Sequence, residues 1–218
     1  MKKFYIMAMK EESGCPSGFF CAYLLREFNS NSYKSGYGKL PWYAGPKKFG
    51  GGLPPFPDNL SLIVENSTYE YDIRRGSPYF YVLSERVVNI LTSFKTSFSE
   101  MSPVSYLDNS GKLIPGKKYF VGKTKRISKK NIIDMNRSKV AGEFGEMFES
   151  IRFKSDLDLD LFDVFDVSPN QFSLIVSEEL KNEMEKQEIK GINFLDVENV
   201  ILNSQEDIET DDRKYAPI

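Results

Sequence analysis

Carboxylates dominate the side chains that could perform chemistry here, because the 218 residues include two cysteines and no histidine. Asp156, Asp158 and Asp160 alternate with leucines, a spacing that invites comparison with a calcium-binding loop. An EF-hand loop requires glycine at its sixth position and glutamate at its twelfth, and counting from Asp156 these positions hold Leu161 and Val167. The aspartates are therefore interpreted as the solvated face of a strand, and we expect no metal site.

The two cysteines favour a location and exclude a chemistry. Cys15 and Cys21 have no histidine to complete a zinc site or to activate a thiol nucleophile. Two thiols form no disulfide framework in a chain of this size, which favours a reducing compartment. The apolar run near the N-terminus is short for a secretion signal, and Glu12 stands where a lipoprotein signal needs an apolar residue. We therefore expect a cytoplasmic protein without a membrane-spanning segment.

The sequence shows no pattern typical of a cofactor site. The three glycines at 50–52 lack the Gly-Lys-Ser/Thr ending of a phosphate-binding loop. An enzyme without histidine would have to use Asp, Glu, Lys, Tyr or Cys as its acid or base. We expect no cofactor and no catalytic activity, and a carboxylate-dependent cytoplasmic enzyme is the alternative.

Charge is distributed unevenly behind a formal net charge of −2. Residues 112–139 carry 10 basic and one acidic side chain, whereas residues 140–218 carry 7 basic and 20 acidic ones. The basic segment, with Tyr119 and Phe120 inside it, is the best argument for a nucleic-acid-binding module. The acidic region would repel phosphate unless it faced away, so nucleic acid is a second alternative rather than the expected partner.

Two segments repeat one pattern, YFYVLSERVV at 79–88 and QFSLIVSEEL at 171–180. In each, an apolar run suited to a buried strand ends at a serine, Ser84 or Ser177, and glutamate follows. A serine oxygen there can accept from a first-turn amide, and the glutamate interacts favourably with the helix dipole. Both segments predict a strand, a capping serine and a short helix. The predicted class is α+β, with a mixed sheet, few short helices and two similar units.

The N-terminal region has a different composition. FYIMAM is expected to be a first strand, and apolar spacing in residues 18–28 predicts a short helix. Strands are predicted at 60–65 and 68–73. Residues 29–58 combine glycine, proline and aromatic side chains, which indicates an ordered irregular loop that covers the core or meets a partner.

The chain is expected to form one compact unit with three parts. Residues 1–77 hold the first strand, the helix and the aromatic loop, residues 78–204 form the α+β body, and residues 205–218 form an acidic tail. Within the body, alternation along 151–167 predicts a strand with the aspartates on one face and leucines on the other.

The order of segments in the body resembles that of known proteins. YVLSERVVNIL, PVSYLD, KKYFVGKTKRI, NIIDMNRSKV and LIVSEELKNEMEKQEIKGINFLDV follow one another. This order resembles bacterial polymorphic-toxin immunity proteins of the family numbered forty-three and its relative numbered eleven. The matching features are the two Ser-Glu junctions, Asp134 and Ser138 between them, and the Gly-Ile-Asn-Phe sequence at 191–194. The resemblance spans about residues 78–200 and leaves 1–77 unassigned.

The resemblance implies a cytoplasmic immunity protein that binds one cognate toxin domain and performs no chemistry. It supplies no catalytic residues, and the oligomeric state stays open. An acidic face could enter the basic cleft of a toxin and steer association, with aromatic anchors supplying buried area. The candidate contacts are Trp42, Tyr43, Asp156, Asp158, Asp160 and Asp163. For each, packing on the core or simple solvation is the alternative, and Ser84 and Ser177 are expected to act only as structural caps.

Overall fold

A computed structural model describes residues 2–10, 12–16, 22–26, 28, 55–77, 80–125, 127–141, 147–165 and 174–197. In these residues three sheets and three short helices are formed. The strands are β1 (Phe4–Met9), β2 (Ala22–Leu25), β3 (Leu60–Val64), β4 (Ile73–Ser77), β5 (Phe80–Ser84), β6 (Phe98–Leu107), β7 (Tyr119–Thr124), β8 (Ile127–Ser128), β9 (Lys139–Ala141), β10 (Met147–Ser150), β11 (Leu161–Phe165), β12 (Leu174–Ser177) and β13 (Ile192–Asp196). The helices are α1 (Glu85–Leu91), α2 (Lys129–Ile132) and α3 (Glu178–Lys186). The predicted α+β class is confirmed.

The first sheet has the order β13-β1-β12-β11-β8. Its strands are antiparallel except for β8, which runs parallel to β11. Strand β1 coincides with the predicted FYIMAM strand and lies between two C-terminal strands. Five of its six side chains are buried, which suits an interior position in a sheet covered on both faces.

The second sheet has the order β2-β3-β6-β7-β5-β4, and only the β3–β6 pair is parallel. Strand β3 is buried throughout, as a central apolar strand requires. The helix predicted at 18–28 is wrong where the chain is described, because Ala22–Leu25 pairs with β3 as a strand. The strand predicted at 68–73 is also wrong, since β4 begins only at Ile73.

The main core joins the two sheets and the two longer helices. It contains Met7 of β1, Leu83 of β5, Val176 of β12 and residues of α1 and α3, all buried. Two further clusters lie against the other faces of the sheets, one around Phe162 and one around Tyr106. Because β1 and the two predicted strand–helix segments share one core, the described N-terminal strand and the body fold together.

Four strands of each sheet repeat one arrangement. The order β4-β5-β7-β6 in the second sheet corresponds to β11-β12-β1-β13 in the first. The registers agree: Ile73 pairs with Leu83 in one unit, and Leu161 pairs with Val176 in the other. Likewise Ser84 lies opposite Tyr119, and Ser177 lies opposite Phe4. The two units are therefore equivalent, although in the second unit the strand equivalent to β7 is β1, which precedes its other strands in the chain.

Candidate functional site

The first junction is organised by one hydroxyl group. The Oγ of Ser84 accepts the N–H of Val87 at 3.3 Å and so caps α1. The same hydroxyl donates to Oδ1 of Asp72 at 2.6 Å, and the backbone N–H of Ser84 donates to the Asp72 carbonyl at 2.7 Å. Asp72 directly precedes β4, so this pair of bonds ties the helix start to the neighbouring strand.

The second junction repeats these contacts. The Oγ of Ser177 accepts the N–H of Leu180 at 3.3 Å and donates to Oδ1 of Asp160 at 2.9 Å. The Ser177 N–H donates to the Asp160 carbonyl at 2.8 Å. Burial alone would raise the pKa of Asp160, but hydrogen bonds from Lys2, the Lys95 N–H and Ser177 outweigh it and lower that pKa. Asp160 is therefore held as a carboxylate that serves the fold.

Each unit braces the junction of the other. The N–H of Lys190, after α3, donates to Oδ2 of Asp72 at 2.8 Å. The N–H of Lys95, after α1, donates to Oδ2 of Asp160 at 2.9 Å. Both aspartates thus receive a serine hydroxyl from their own unit and a backbone amide from the opposite unit, which holds the two units together.

An ion pair flanks each of these aspartates. The Nζ of Lys190 lies 3.1 Å from Glu70, and that of Lys95 pairs with Asp158. The hydrogen bond from Lys190 lowers the pKa of the Glu70 carboxyl. Glu70 and Asp158 each stand two residues before the aspartate that binds the capping serine. Asp158 therefore belongs to the repeated structural pattern as well as to the predicted acidic surface.

The predicted contact residues fall in different environments. Asp156 and Asp158 are exposed, whereas Asp160 is mostly covered by its partners. Asp163 is buried, and Oγ1 of Thr124 donates to it at 3.0 Å. Only β11 is a strand in this stretch, so residues 156–160 do not form the alternating strand face predicted from the sequence. The four aspartates therefore do not form one exposed surface. Trp42 and Tyr43 lie outside the described residues.

The basic segment 112–139 is divided among internal contacts. The Nζ of Lys117 donates to the Tyr69 carbonyl at 2.8 Å, and Lys118 pairs with Glu85 at 3.1 Å. Lys123 is buried, pairs with Glu100 and stands over the ring of Phe56. A nucleic-acid surface that used every cation of the segment would need Lys123 exposed, and the fold buries it.

An open groove of about 580 Å³ lies beside the first junction. Tyr71, Asp72 and Ser84 are buried residues of its lining. Its charged lining residues are Glu70, Asp72, Glu85, Arg86, Lys117, Lys118 and Lys190. The rest of its lining is buried Tyr119 and residues 113–116 of the β6–β7 loop. Leu113 in this loop is 61% exposed, the highest value for a large apolar side chain in the described ranges.

Buried Arg74 is a second centre that the sequence pattern does not indicate. Its guanidinium donates to the carbonyls of Lys10 at 3.0 Å, Pro16 at 3.5 Å and Gly191. It thus ties the segment after β1 and the turn before β13 to strand β4. Cys15 lies nearby as a free thiol, and burial raises its pKa, so this geometry does not activate it as a nucleophile.

Metal and membrane features give no further site in the ranges that the structure covers. No group of three or more Cys, Asp or Glu side chains that could hold a metal ion is present in the described residues. None of the helices described is long and apolar enough to cross a membrane.

The fold and site define an α+β scaffold in which one strand–helix junction is built twice, and the first copy borders the groove. Residues 7–207 match a protein-family model described as Immunity protein 43. The chain therefore belongs to the Immunity protein 43 family, as its resemblance suggested. The match also covers most of residues 1–77, which the sequence resemblance left unassigned. No curated protein matches the chain significantly.

Proposed function

We propose that this protein binds one cognate bacterial toxin domain in the cytoplasm and neutralises it by direct contact, without catalysis. The family match over residues 7–207 carries this proposal. An immunity protein of this kind needs a stable scaffold and a surface that complements the toxin. The repeated, mutually braced junctions are well suited to be that scaffold.

The roles of the buried polar groups support binding rather than catalysis. Ser84 and Ser177 are occupied as helix caps, and their partners Asp72 and Asp160 receive backbone amides as well. A serine nucleophile needs a general base to remove its proton, whereas each of these serines donates to a carboxylate that is already engaged by other donors. These groups therefore act in folding.

Stoichiometry separates neutralisation by contact from an enzymatic antidote. A candidate toxin domain, sought first in the gene next to this one, would be titrated with the purified protein while toxin activity is measured. Contact predicts a linear loss of activity that reaches its end point at one protein per toxin. An enzymatic antidote would silence the toxin far below that ratio, and this result would overturn the proposal. A 1:1 complex by light scattering is the matching binding readout.

We retain the exposed aspartates and the aromatic loop as proposed contacts. Asp156 and Asp158 could steer association with a basic toxin surface, and Trp42 and Tyr43 could supply buried area. The double change Asp156→Asn with Asp158→Asn should slow association and weaken its salt dependence. Asp160 is unsuitable for this test, because its loss would disturb the second junction. An unchanged association rate at low salt would exclude the aspartates from the interface.

A further inference from the structure

We propose that the groove beside the first junction, with Leu113 at its rim, receives an acidic segment of the toxin. This inference rests on the proposed function and names the surface and the chemistry of the partner. The partner would place carboxylates against the lysines of the groove and an apolar side chain against Leu113.

The two equivalent units provide an internal comparison that separates fold from function. Each unit keeps its serine, its aspartate and its bracing amide, because the same geometry requires them. The position after Ser-Glu differs, being Arg86 in the first unit and Glu179 in the second. The β6–β7 loop occurs only in the first unit, since in the second unit β1, the equivalent of β7, precedes β13 in the chain instead of following it. A feature present in only one of the two units is not needed to build their shared fold. Such a feature is therefore available to contact a partner.

The loop that carries Leu113 is held in one conformation. The Oδ1 of Asp108 accepts the backbone amides of Ser110 and Lys112 at 2.8 and 3.0 Å. The N–H of Ile114 donates to the Tyr106 carbonyl at 2.9 Å, and the Ile114 side chain is buried. Leu113 is therefore presented to solvent by a braced loop, which reduces the entropy lost when a partner binds it.

Charge favours an acidic partner at this groove. Four cations and three carboxylates line it, and one carboxylate, Asp72, is buried and already bonded to three donors. Lys117 donates to the Tyr69 carbonyl, and its charge helps to lower the pKa of Glu70, but it lies within ion-pair distance of no carboxylate in the described ranges. At the second junction the equivalent Lys2 does pair with its aspartate, at 2.7 Å. Lys117 is therefore a cation of the groove with which a carboxylate of the partner can form an ion pair.

Two single variants test the groove, with an inactive form of the toxin domain used in the titration as the probe. Leu113→Ser should raise Kd about tenfold, mainly through faster dissociation, because it removes an exposed apolar anchor. Lys118→Glu should raise Kd about tenfold, slow association and reduce the salt dependence of binding. Lys118 is 73% exposed and pairs only with exposed Glu85, so neither variant should lower the unfolding temperature.

Lys186→Glu on α3 is the matched control, because it makes the same charge change at a side chain 78% exposed and outside the groove. Its Kd should stay within about twofold of wild type. If the wild-type protein binds the toxin and both Leu113→Ser and Lys118→Glu bind it equally well, the groove is not the binding surface. The proposed function would then still stand. Absence of wild-type binding would overturn the proposed function itself. If the protein instead binds short DNA or RNA but no toxin, and Lys118→Glu abolishes that binding, the groove binds nucleic-acid phosphates. This result would overturn the inference.

Discussion

Replacing either capping serine with alanine should destabilise the protein by about 2–4 kcal/mol. Loss of an N-cap costs about 0.5–2 kcal/mol, and the 3.3 Å cap distances favour the lower half of that range. Each hydroxyl also donates to a carboxylate, a bond to a charged group that contributes about 1.5–3 kcal/mol. Ser84→Ala should cost at least as much as Ser177→Ala, because the Ser84–Asp72 bond is shorter and Asp72 is the more buried carboxylate.

Urea unfolding followed by far-ultraviolet circular dichroism at neutral pH measures this cost. Ser93→Ala is the matched control, since Ser93 is exposed, and its effect should stay within about 0.5 kcal/mol. A double-mutant cycle of Ser84→Ala with Asp72→Ala should give a coupling of about 1–3 kcal/mol. Changes no larger than that of Ser93→Ala, or a coupling near zero, would refute the assignment of the hydroxyl–carboxylate bond as the support of the junction.

Three further predictions concern acidity, burial and thiols. The pKa of Asp160 lies below its ordinary value of 3.8, so its ionised form stabilises the fold at neutral pH, and this contribution is lost as pH falls through the folded pKa. The difference in unfolding free energy between wild type and Asp160→Asn should therefore shrink between neutral pH and about pH 3, and a constant difference would contradict it. Arg74→Met should cost about 3 kcal/mol in urea unfolding, because buried carbonyls lose their donor; a loss below about 1 kcal/mol would contradict that role. Cys15 and Cys21 should both be found as free thiols by alkylation and mass spectrometry, and a disulfide or lipid on Cys15 would argue against a cytoplasmic location.

The elements with one dominant local signal were predictable from the sequence. Strand β1 is an apolar run, the strands that end at Ser84 and Ser177 combine an apolar run with a capping residue, and all three form where expected. The helix prediction for residues 18–28 failed because a short apolar segment can match both the helical and the strand periodicity. In the structure Leu24 is buried while Tyr23 is exposed, which is the alternation of a strand paired with β3.

The repeat itself was only half visible, for a topological reason. In both units the Ser-Glu segment follows the strand that begins directly after the paired aspartate. The similar segments KKFYI and KKYFV differ in position, because the first precedes its Ser-Glu segment in the chain and the second follows it. The first copy of that strand opens the chain and completes the second unit, whereas the other copy closes the first unit. A search for two segments that recur in the same order and at the same spacing therefore misses this repeat. The shared Lys-Lys-aromatic-aromatic pattern is nevertheless a sequence signal that could have revealed it.

This permuted order shows that part of the acidic segment has a structural role, and it identifies the groove as a further candidate surface. Asp158 and Asp160 look like surface charges in the sequence, yet Glu70 and Asp72 occupy the same positions in the other unit and form equivalent contacts. Contacts that arise twice from two separate stretches of chain are demanded by the shared geometry. The β6–β7 loop and Arg86 have no such counterpart, so the shared geometry of the two units does not require them. In a protein whose scaffold is built twice, the surface that distinguishes one partner from another should be sought where the two copies differ.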